Sequence, residues 1–219
     1  MPVKIFLVSI IFLFGQGCYL TKQGYYLVKY QFQSVKIEDA LKDPALPEEE
    51  RILFIRTKQI RNFGIERLGL KDTGNYVRYV RINRDYLLDV VSASEKDQFK
   101  DYTWSFPFFG SFPYKGFYEK KDAENLAEKL KAKGLDVLIR KTDAYSTLGY
   151  FSDPLYSFMV HYSGYQLAGL IFHEMTHSTL YIKNQTQFNE NLASFVEQEG
   201  GLLYLREIMG YNAEWRGEM

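Results

Sequence analysis

The spacing of apolar residues predicts helices in the first third of the chain. Residues 19–35 are rich in aromatic side chains and favour a helix. After a break at 43–47, three glutamates open a first helical turn, and apolar residues then recur every three or four positions as far as Leu68. This pattern predicts a helix that Gly69 ends, because glycine is common just past a helix C-terminus.

The middle of the chain has the alternation and the turn residues of short strands. Between these strands the spacing becomes helical, and one face is formed by Ala123, Leu126, Ala127 and Leu130. This predicts an amphipathic helix closed by Gly134. Strands are expected at 76–82, 87–92, 135–139 and 144–149, with shorter ones among the aromatic, proline and glycine residues of 102–117.

From residue 166 onward the apolar spacing is helical. We expect three separate helices, at about 166–182, 188–199 and 202–209. Strands in the middle and helices at the end predict an α+β fold, in which a small mixed sheet is followed by a helical C-terminal half.

The N-terminus has the features of an export signal. Lys4 precedes ten mostly apolar residues, and small residues stand before Cys18. Ten residues rise only about 15 Å as a helix, roughly half of the hydrocarbon core. The stretch resembles a bacterial lipoprotein signal, although Gly15 stands where that pattern usually has leucine. We therefore expect a signal peptide at 1–17 and lipidation of Cys18, with plain secretion or an uncleaved anchor as alternatives.

Composition places the rest of the chain among globular proteins. Of 219 residues, 46% are hydrophobic and 25% are charged, which suits a single domain at 18–219. The 27 basic residues equal the 27 acidic ones, so the net charge is zero and no nucleic-acid partner is indicated. Cys18 is the one cysteine, and an intrachain disulfide is therefore impossible.

One motif carries recognisable chemistry. His173 and His177 flank Glu174-Met175-Thr176 within the helix predicted at 166–182. Imidazoles four residues apart lie on one helix face, where both can bind a single ion, most often Zn²⁺. Glu174 lies beside that face and can act as a general base toward water. The helical half is thus expected to carry a zincin-like metal site with zinc as its cofactor.

A third ligand must come from elsewhere, because a catalytic zinc ion usually has three protein ligands and one open position. Twelve residues lie between His177 and Glu190, enough for a turn and an antiparallel helix that presents Glu190 to the metal. Asn189-Glu190 also resembles the second zinc motif of the glutamate-ligand metallopeptidases, the group that contains thermolysin. Glu197, seven residues later, is the alternative ligand or the partner of a ligand. Glu199 is a further acidic candidate.

Longer segments carry a more specific resemblance. They are 104–107 (WSFP), 114–117 (YKGF), 144–154 (AYSTLGYFSDP), 170–177 (LIFHEMTH) and 188–190 (FNE). With them the chain resembles, over nearly all of its mature length, a family of bacterial proteins labelled putative aminopeptidases, which are predicted lipoproteins. The resemblance implies a zinc-dependent peptidase of the glutamate-ligand type.

Two features depart from that family. Cysteines often occupy the positions of Ser105 and Ser111 in its members, so a stabilising disulfide is missing here. Family members also continue further past the second zinc motif than Met219, which makes the expected domain C-terminally short relative to them.

The segment 144–154 is expected to lie along the cleft and to pair with an extended substrate backbone. Tyr145 or Tyr150 could then donate a hydrogen bond to the oxyanion. His161 is another candidate donor. For the tyrosines the competing interpretation is packing beneath a loop, and for His161 it is a surface or core position.

These features predict a zinc-dependent peptidase, an aminopeptidase by the family's label, that hydrolyses peptide substrates with metal-activated water. Export and the lipid anchor would place it on a bacterial membrane, at the periplasmic or cell-envelope face. The alternatives are a non-catalytic zinc-binding lipoprotein scaffold, a metal-free envelope lipoprotein that serves as a binding module, and a metal-dependent esterase or other hydrolase.

Overall fold

The computed structural model describes residues 19–98, 100–106, 110–143, 153–183, 185–208 and 210. Its helices are α1 (19–33), α2 (Ile37–Ala40), α3 (Glu48–Glu66), α4 (Lys120–Ala132), α5 (Gly164–Thr179) and α6 (Thr186–Ile208). Its strands are β1 (Val35–Lys36), β2 (Arg78–Val80), β3 (Leu88–Ser94), β4 (Trp104–Phe106), β5 (Gly110–Phe112), β6 (Tyr114–Phe117), β7 (Asp136–Thr142) and β8 (Leu155–Tyr156). A 3₁₀ turn covers Ser157–His161. Within these described ranges, no helix is both long enough and apolar enough to cross a membrane.

The chain forms two compact units. The first comprises the described residues of Met1–Phe32 and Asp85–Tyr145. Its sheet is antiparallel with the order β6-β3-β7, and Val91 of the central strand lies opposite Lys115 and Ile139. The strand and turn character predicted for 102–117 is therefore confirmed for the part that the structure describes.

Helix α4 packs on this sheet with the face that the sequence predicts. Ala123, Ala127 and Leu130 are at most 3% exposed, and Val91 and Phe117 belong to the same apolar cluster as Ala123 and Leu130. The apolar spacing of the helix thus matches the surface that it buries.

The hairpin of β4 and β5 brings two serines together. Ser105 lies directly opposite Ser111, and their hydroxyl oxygens are 2.8 Å apart in a hydrogen bond. The positions at which the family resemblance implies cysteines are therefore cross-strand neighbours, linked here by a hydrogen bond.

The second unit comprises the described residues of Gln33–Arg84 and Ser146–Met219. Its sheet has the order β1-β2-β8 and is mixed, because β1 is antiparallel and β8 parallel to β2. Helices α3, α5 and α6 pack together in the same unit. The α+β class, with a small mixed sheet and a helical C-terminal half, is confirmed.

Helix α5 is the buried element of this unit. Leu167, Ile171 and Met175 are at most 1% exposed. The Phe172 ring contacts Phe63 of α3 and Tyr204 of α6, at centroid distances of 6.1 and 6.3 Å. A helix enclosed in this way holds its side chains in fixed positions, which is what a site on one of its faces requires.

The predicted split of the C-terminal segment into two helices is wrong, because α6 runs unbroken through Gly200 and Gly201. The two glycines serve close packing. A Cβ on Gly200 would lie 2.8 Å from Leu68 Cδ1 and 3.2 Å from the Phe172 ring, and one on Gly201 would lie 3.0 Å from the Tyr165 ring. Glycine here allows neighbouring side chains to approach the helix backbone.

The helices predicted before residue 140 have the expected ends. Gly69 and Gly134 follow α3 and α4 with φ angles of 69° and 84°, the left-handed conformation that glycine adopts without strain. The strand expected at 144–149 lies outside the described residues.

Candidate metal centre

Helix α5 carries the two histidines on one face. Its start is fixed by a capping box, in which the Ser163 hydroxyl accepts from Gln166 N and the Gln166 side chain accepts from Ser163 N. Nearly three turns later, the Nε2 atoms of His173 and His177 lie 3.2 Å apart. The i, i+4 geometry expected from the sequence is confirmed.

Helix α6 returns antiparallel to α5 and presents Glu190. The turn before it is held by Asn189, which is 1% exposed. The Asn189 amide accepts from Ile182 N at 2.9 Å and donates to Ile182 O at 2.8 Å. The first turn of α6 is thereby fixed next to the end of α5.

The three side chains could hold one metal ion. Glu190 Oε2 lies 3.5 Å from His173 Nε2, and Glu190 Oε1 lies 3.7 Å from His177 Nε2. Two ligands about 2.0–2.1 Å from a tetrahedral zinc ion stand roughly 3.3–3.4 Å apart. The two histidines face different oxygens of Glu190, and one ligand atom can be taken from each residue so that all three lie within 4.8 Å of one another. The donor set of two imidazoles and one carboxylate is one that zinc accepts. The residues therefore fit the cofactor expected from the sequence.

Glu197 orients the first histidine. Its Oε2 lies 2.8 Å from His173 Nδ1, so a neutral His173 that donates from Nδ1 keeps its Nε2 lone pair for a metal. Gly169 leaves room for this contact, because a Cβ there would lie 3.1 Å from Glu197 Cγ. Of the two roles considered for Glu197, the geometry supports the partner of a ligand.

The ionisable groups of the site shift one another's pKa values. Burial lowers the pKa of His173, but the contact with Glu190 and the charge of Glu174 outweigh it and raise the pKa to about 9. In turn, the contacts of Glu190 with His173 and His177 lower the pKa of Glu190 to about 2. The metal-free site thus favours a proton on the imidazole and none on Glu190, and a bound cation would take the place of that proton.

Glu174 lies beside the ligand face and is 8% exposed. Burial raises the pKa of its carboxyl group, although the neighbouring His173 and His177 oppose this. Its Oε2 is sealed from solvent and has no hydrogen-bond partner among the described residues. A buried carboxylate beside a metal position is suited to accept a proton from a reacting water.

Two residues near Glu174 were missed at the sequence level. Tyr76 is buried, and the charges of Glu174 and Asp153 add to the burial that raises its pKa. Burial and Glu174 likewise raise the pKa of Asp153. The sequence shows Tyr76 only as the start of a strand-like run, and Asp153 only as one residue of the segment 144–154, with no role of its own.

The remaining predicted residues do not join this cluster or cannot be placed. His161 is exposed at the end of the 3₁₀ turn, and Glu199 is exposed on α6. Neither belongs to the group of metal-ligating atoms found among the described residues. Cys18, Tyr145 and Tyr150 lie outside the described residues.

The fold and the site together define an α+β protein with a candidate metal centre of the HExxH type. The sequence model of the family described as "Putative aminopeptidase" matches residues 18–217, and the chain belongs to this family. Membership supports a peptidase function in general terms. Neither the comparison with curated proteins nor that with solved structures gave a match.

Proposed function

We propose that the protein is a zinc-dependent peptidase. The observation that carries this proposal is the convergence of His173, His177 and Glu190 from two helices, with the buried carboxylate of Glu174 beside them. A purely structural zinc site has four protein ligands and needs no base. Three donors and an adjacent carboxylate match the composition of a hydrolytic site.

Each residue has a distinct role in the proposed reaction. His173, His177 and Glu190 would hold the ion, and Glu197 keeps His173 in the tautomer that can bind it. A bound Zn²⁺ would supply Lewis acidity that lowers the pKa of water to about 7 and polarises a peptide carbonyl. Glu174 accepts a proton from the attacking water and returns it to the departing amine.

Tyr145 and Tyr150 remain the proposed hydrogen-bond donors to the oxyanion, within a segment proposed to run along the substrate. Either tyrosine would act by donating its phenolic proton to the negative oxygen that develops at the scissile carbonyl. Replacing each with phenylalanine in turn distinguishes them, since only the true donor would lower kcat while leaving metal content unchanged.

The experiment that tests the proposal is Glu174→Gln, assayed on a peptide library with free and blocked N-termini. The variant is expected to keep its zinc and to lose activity by about 10²–10⁴-fold, the usual contribution of a general base. Glu199→Gln, which changes an exposed carboxylate of α6, is the matched control and should behave as wild type.

Full activity in the Glu174→Gln variant with zinc bound would refute the assignment of the base. Zinc binding without peptidase activity in the wild type would instead favour the non-catalytic scaffold. The comparison of free and blocked peptides decides between aminopeptidase and endopeptidase activity.

We also propose that the protein acts at the cell envelope, attached to a bacterial membrane through lipidated Cys18. The support is the export signal of residues 1–17 and the position of the single cysteine directly after it. Metabolic labelling with a fatty acid should mark the wild type and leave Cys18→Ser unlabelled. Equal labelling of the two would exclude this anchor.

A further inference from the structure

Residues 71–76 are fastened to the end of the metal-binding helix. Lys71 N donates to Thr179 Oγ1 at 2.9 Å, and the Asn75 amide donates to Ser178 Oγ at 3.3 Å. Thr179 and Ser178 directly follow His177 on α5. The segment is thus held against the part of the helix that carries the second metal ligand.

The same segment is held from its other side by Asp153. Asn75 Oδ1 accepts from Asp153 N at 3.2 Å, and Tyr76 N donates to Asp153 O at 2.6 Å. Two hydrogen bonds therefore tie the segment to the end of α5, and two more tie Asn75 and Tyr76 to Asp153.

Tyr76 itself has an unfavourable backbone. Its φ angle is +58°, in the left-handed region that a bulky L residue rarely adopts. Such conformations persist only where the surrounding contacts impose them, and they are concentrated at functional sites.

The Tyr76 hydroxyl and one oxygen of Glu174 are both buried polar atoms without a hydrogen-bond partner among the described residues. Tyr76 is 2% exposed, and its hydroxyl oxygen is sealed from solvent with no partner in the described part of the chain. Glu174 Oε2 is likewise buried without a hydrogen-bond partner among the described residues. Of the charged groups that raise the pKa of the Tyr76 phenol, Glu174 has the largest effect. Buried polar groups left without partners are costly, which favours their pairing.

We propose that Tyr76 is a positioning residue of the active site, whose hydroxyl donates a hydrogen bond to Glu174 Oε2 when the metal is bound. This inference rests on the proposed function. The hydrogen bond would fix the plane of the carboxylate, and its other oxygen would be left to accept the proton of the reacting water. Tyr76 does not itself touch the substrate.

Tyr76→Phe separates positioning from packing. The substitution keeps the ring and removes only a hydroxyl that has no partner among the described residues, so the melting temperature should stay unchanged or rise slightly. Tyr79→Phe is the matched control. Tyr79 is 3% exposed and its hydroxyl is equally sealed, but it lies beside Glu50 and Arg81 rather than Glu174.

The measurement is a titration of the Co²⁺-substituted protein with acetohydroxamic acid, followed by the visible spectrum of the cobalt. This ligand chelates the metal and passes a proton to an adjacent carboxylate, so it reports on Glu174 even without a known peptide substrate. We expect Glu174→Gln and Tyr76→Phe each to weaken binding by about tenfold or more, the size of one hydrogen bond to a charged group. Tyr79→Phe should bind as wild type. With any peptide substrate that is found, Tyr76→Phe should lower kcat and leave KM unchanged.

Wild-type affinity in Tyr76→Phe, with Glu174→Gln impaired, would overturn the role of Tyr76 and leave the proposed function standing. Loss of cobalt uptake or of the folded state in Tyr76→Phe would also overturn it, since Tyr76 would then be a structural residue. A wild type that takes up no cobalt, or a Glu174→Gln variant with unchanged affinity, would refute the proposed function and this inference with it.

Discussion

His173 is held between two carboxylates that have different tasks. Glu190 lies 3.5 Å from its Nε2, on the side proposed for the metal, and Glu197 lies 2.8 Å from its Nδ1. Glycine at position 169 leaves room for Glu197, because a Cβ at that position would lie only 3.1 Å from Glu197 Cγ. The proposed metal affinity of the site is therefore expected to depend on Glu197, which would not itself bind the ion.

Replacing Glu197 tests this dependence. Glu197→Ala should lower zinc affinity by about 10–100-fold, as is typical when the partner of a metal-binding histidine is lost. Glu199→Ala, two residues further along the same helix, is the control and should have no effect. Competition with a chelator of known affinity measures both. Equal affinities in the two variants would show that Glu197 does not orient His173.

The raised pKa of His173 predicts that zinc affinity depends on pH. With a pKa of about 9, His173 holds a proton in the free site at neutral pH, and zinc must displace it. Raising the pH removes this competition, so the apparent affinity should increase about tenfold per pH unit from about pH 7 and level off above about pH 9. Glu190, with a pKa of about 2, is already unprotonated and adds nothing in this window. Chelator competition across this range tests the slope, and a flat profile would contradict the assignment.

The sequence predicted the residues that form a local pattern and missed those that do not. His173, Glu174 and His177 are adjacent on one helix, and Glu190 follows at a distance that an antiparallel turn can span. Tyr76 reaches the site only through contacts with residues far along the chain, such as Asp153. No periodicity or motif encodes such a contact.

At the scale of elements, α6 shows how packing overrides local preference. Two consecutive glycines predict a helix end from propensity, yet α6 continues through them. Glycine is needed there because Leu68, Phe172 and Tyr165 occupy the space that side chains would need. Helix ends at Gly69 and Gly134 were predictable because the helical apolar spacing stops before each glycine. In the structure both glycines have a positive φ, and nothing lies within 4 Å of an added Cβ.

Gly200→Ala should destabilise the protein. Alanine favours a helix by about 1 kcal/mol over glycine, but the new methyl would meet Leu68 at 2.8 Å and the Phe172 ring at 3.2 Å. We expect a net loss of about 1–3 kcal/mol, as for other overpacked cores. Gly24→Ala, in α1 with nothing within 4 Å of the added Cβ, should instead stabilise by about 0.4–1 kcal/mol. Denaturant unfolding of both variants measures the difference, and equal stabilities would contradict the packing argument.

The β4–β5 hairpin offers a second test at this scale. Ser105 and Ser111 lie directly opposite each other, with their hydroxyl oxygens 2.8 Å apart. We therefore expect the double variant Ser105→Cys, Ser111→Cys to form a disulfide by air oxidation. The closed loop should stabilise the fold by about 2 kcal/mol. We therefore expect the melting temperature of the double variant to fall when a reductant is added. No effect of the reductant would show that the two side chains do not meet as described.

For the whole molecule, the sequence predicted the class but not the division of the chain. Each compact unit combines segments from distant parts of the sequence: the described residues of 1–32 with those of 85–145, and the described residues of 33–84 with those of 146–219. Apolar periodicity is a local signal and cannot indicate which segments pack together. The metal centre nevertheless lies within one unit, since all of its residues follow position 146.

The most direct test of the account is zinc content by elemental analysis, measured on the purified mature protein and on Glu190→Ala, with Glu199→Ala as the control. We predict about one zinc ion per chain in the wild type and in Glu199→Ala, and little or none in Glu190→Ala. Zinc retained at full occupancy in Glu190→Ala, or absent from the wild type, would contradict the three-ligand site on which the proposed peptidase depends.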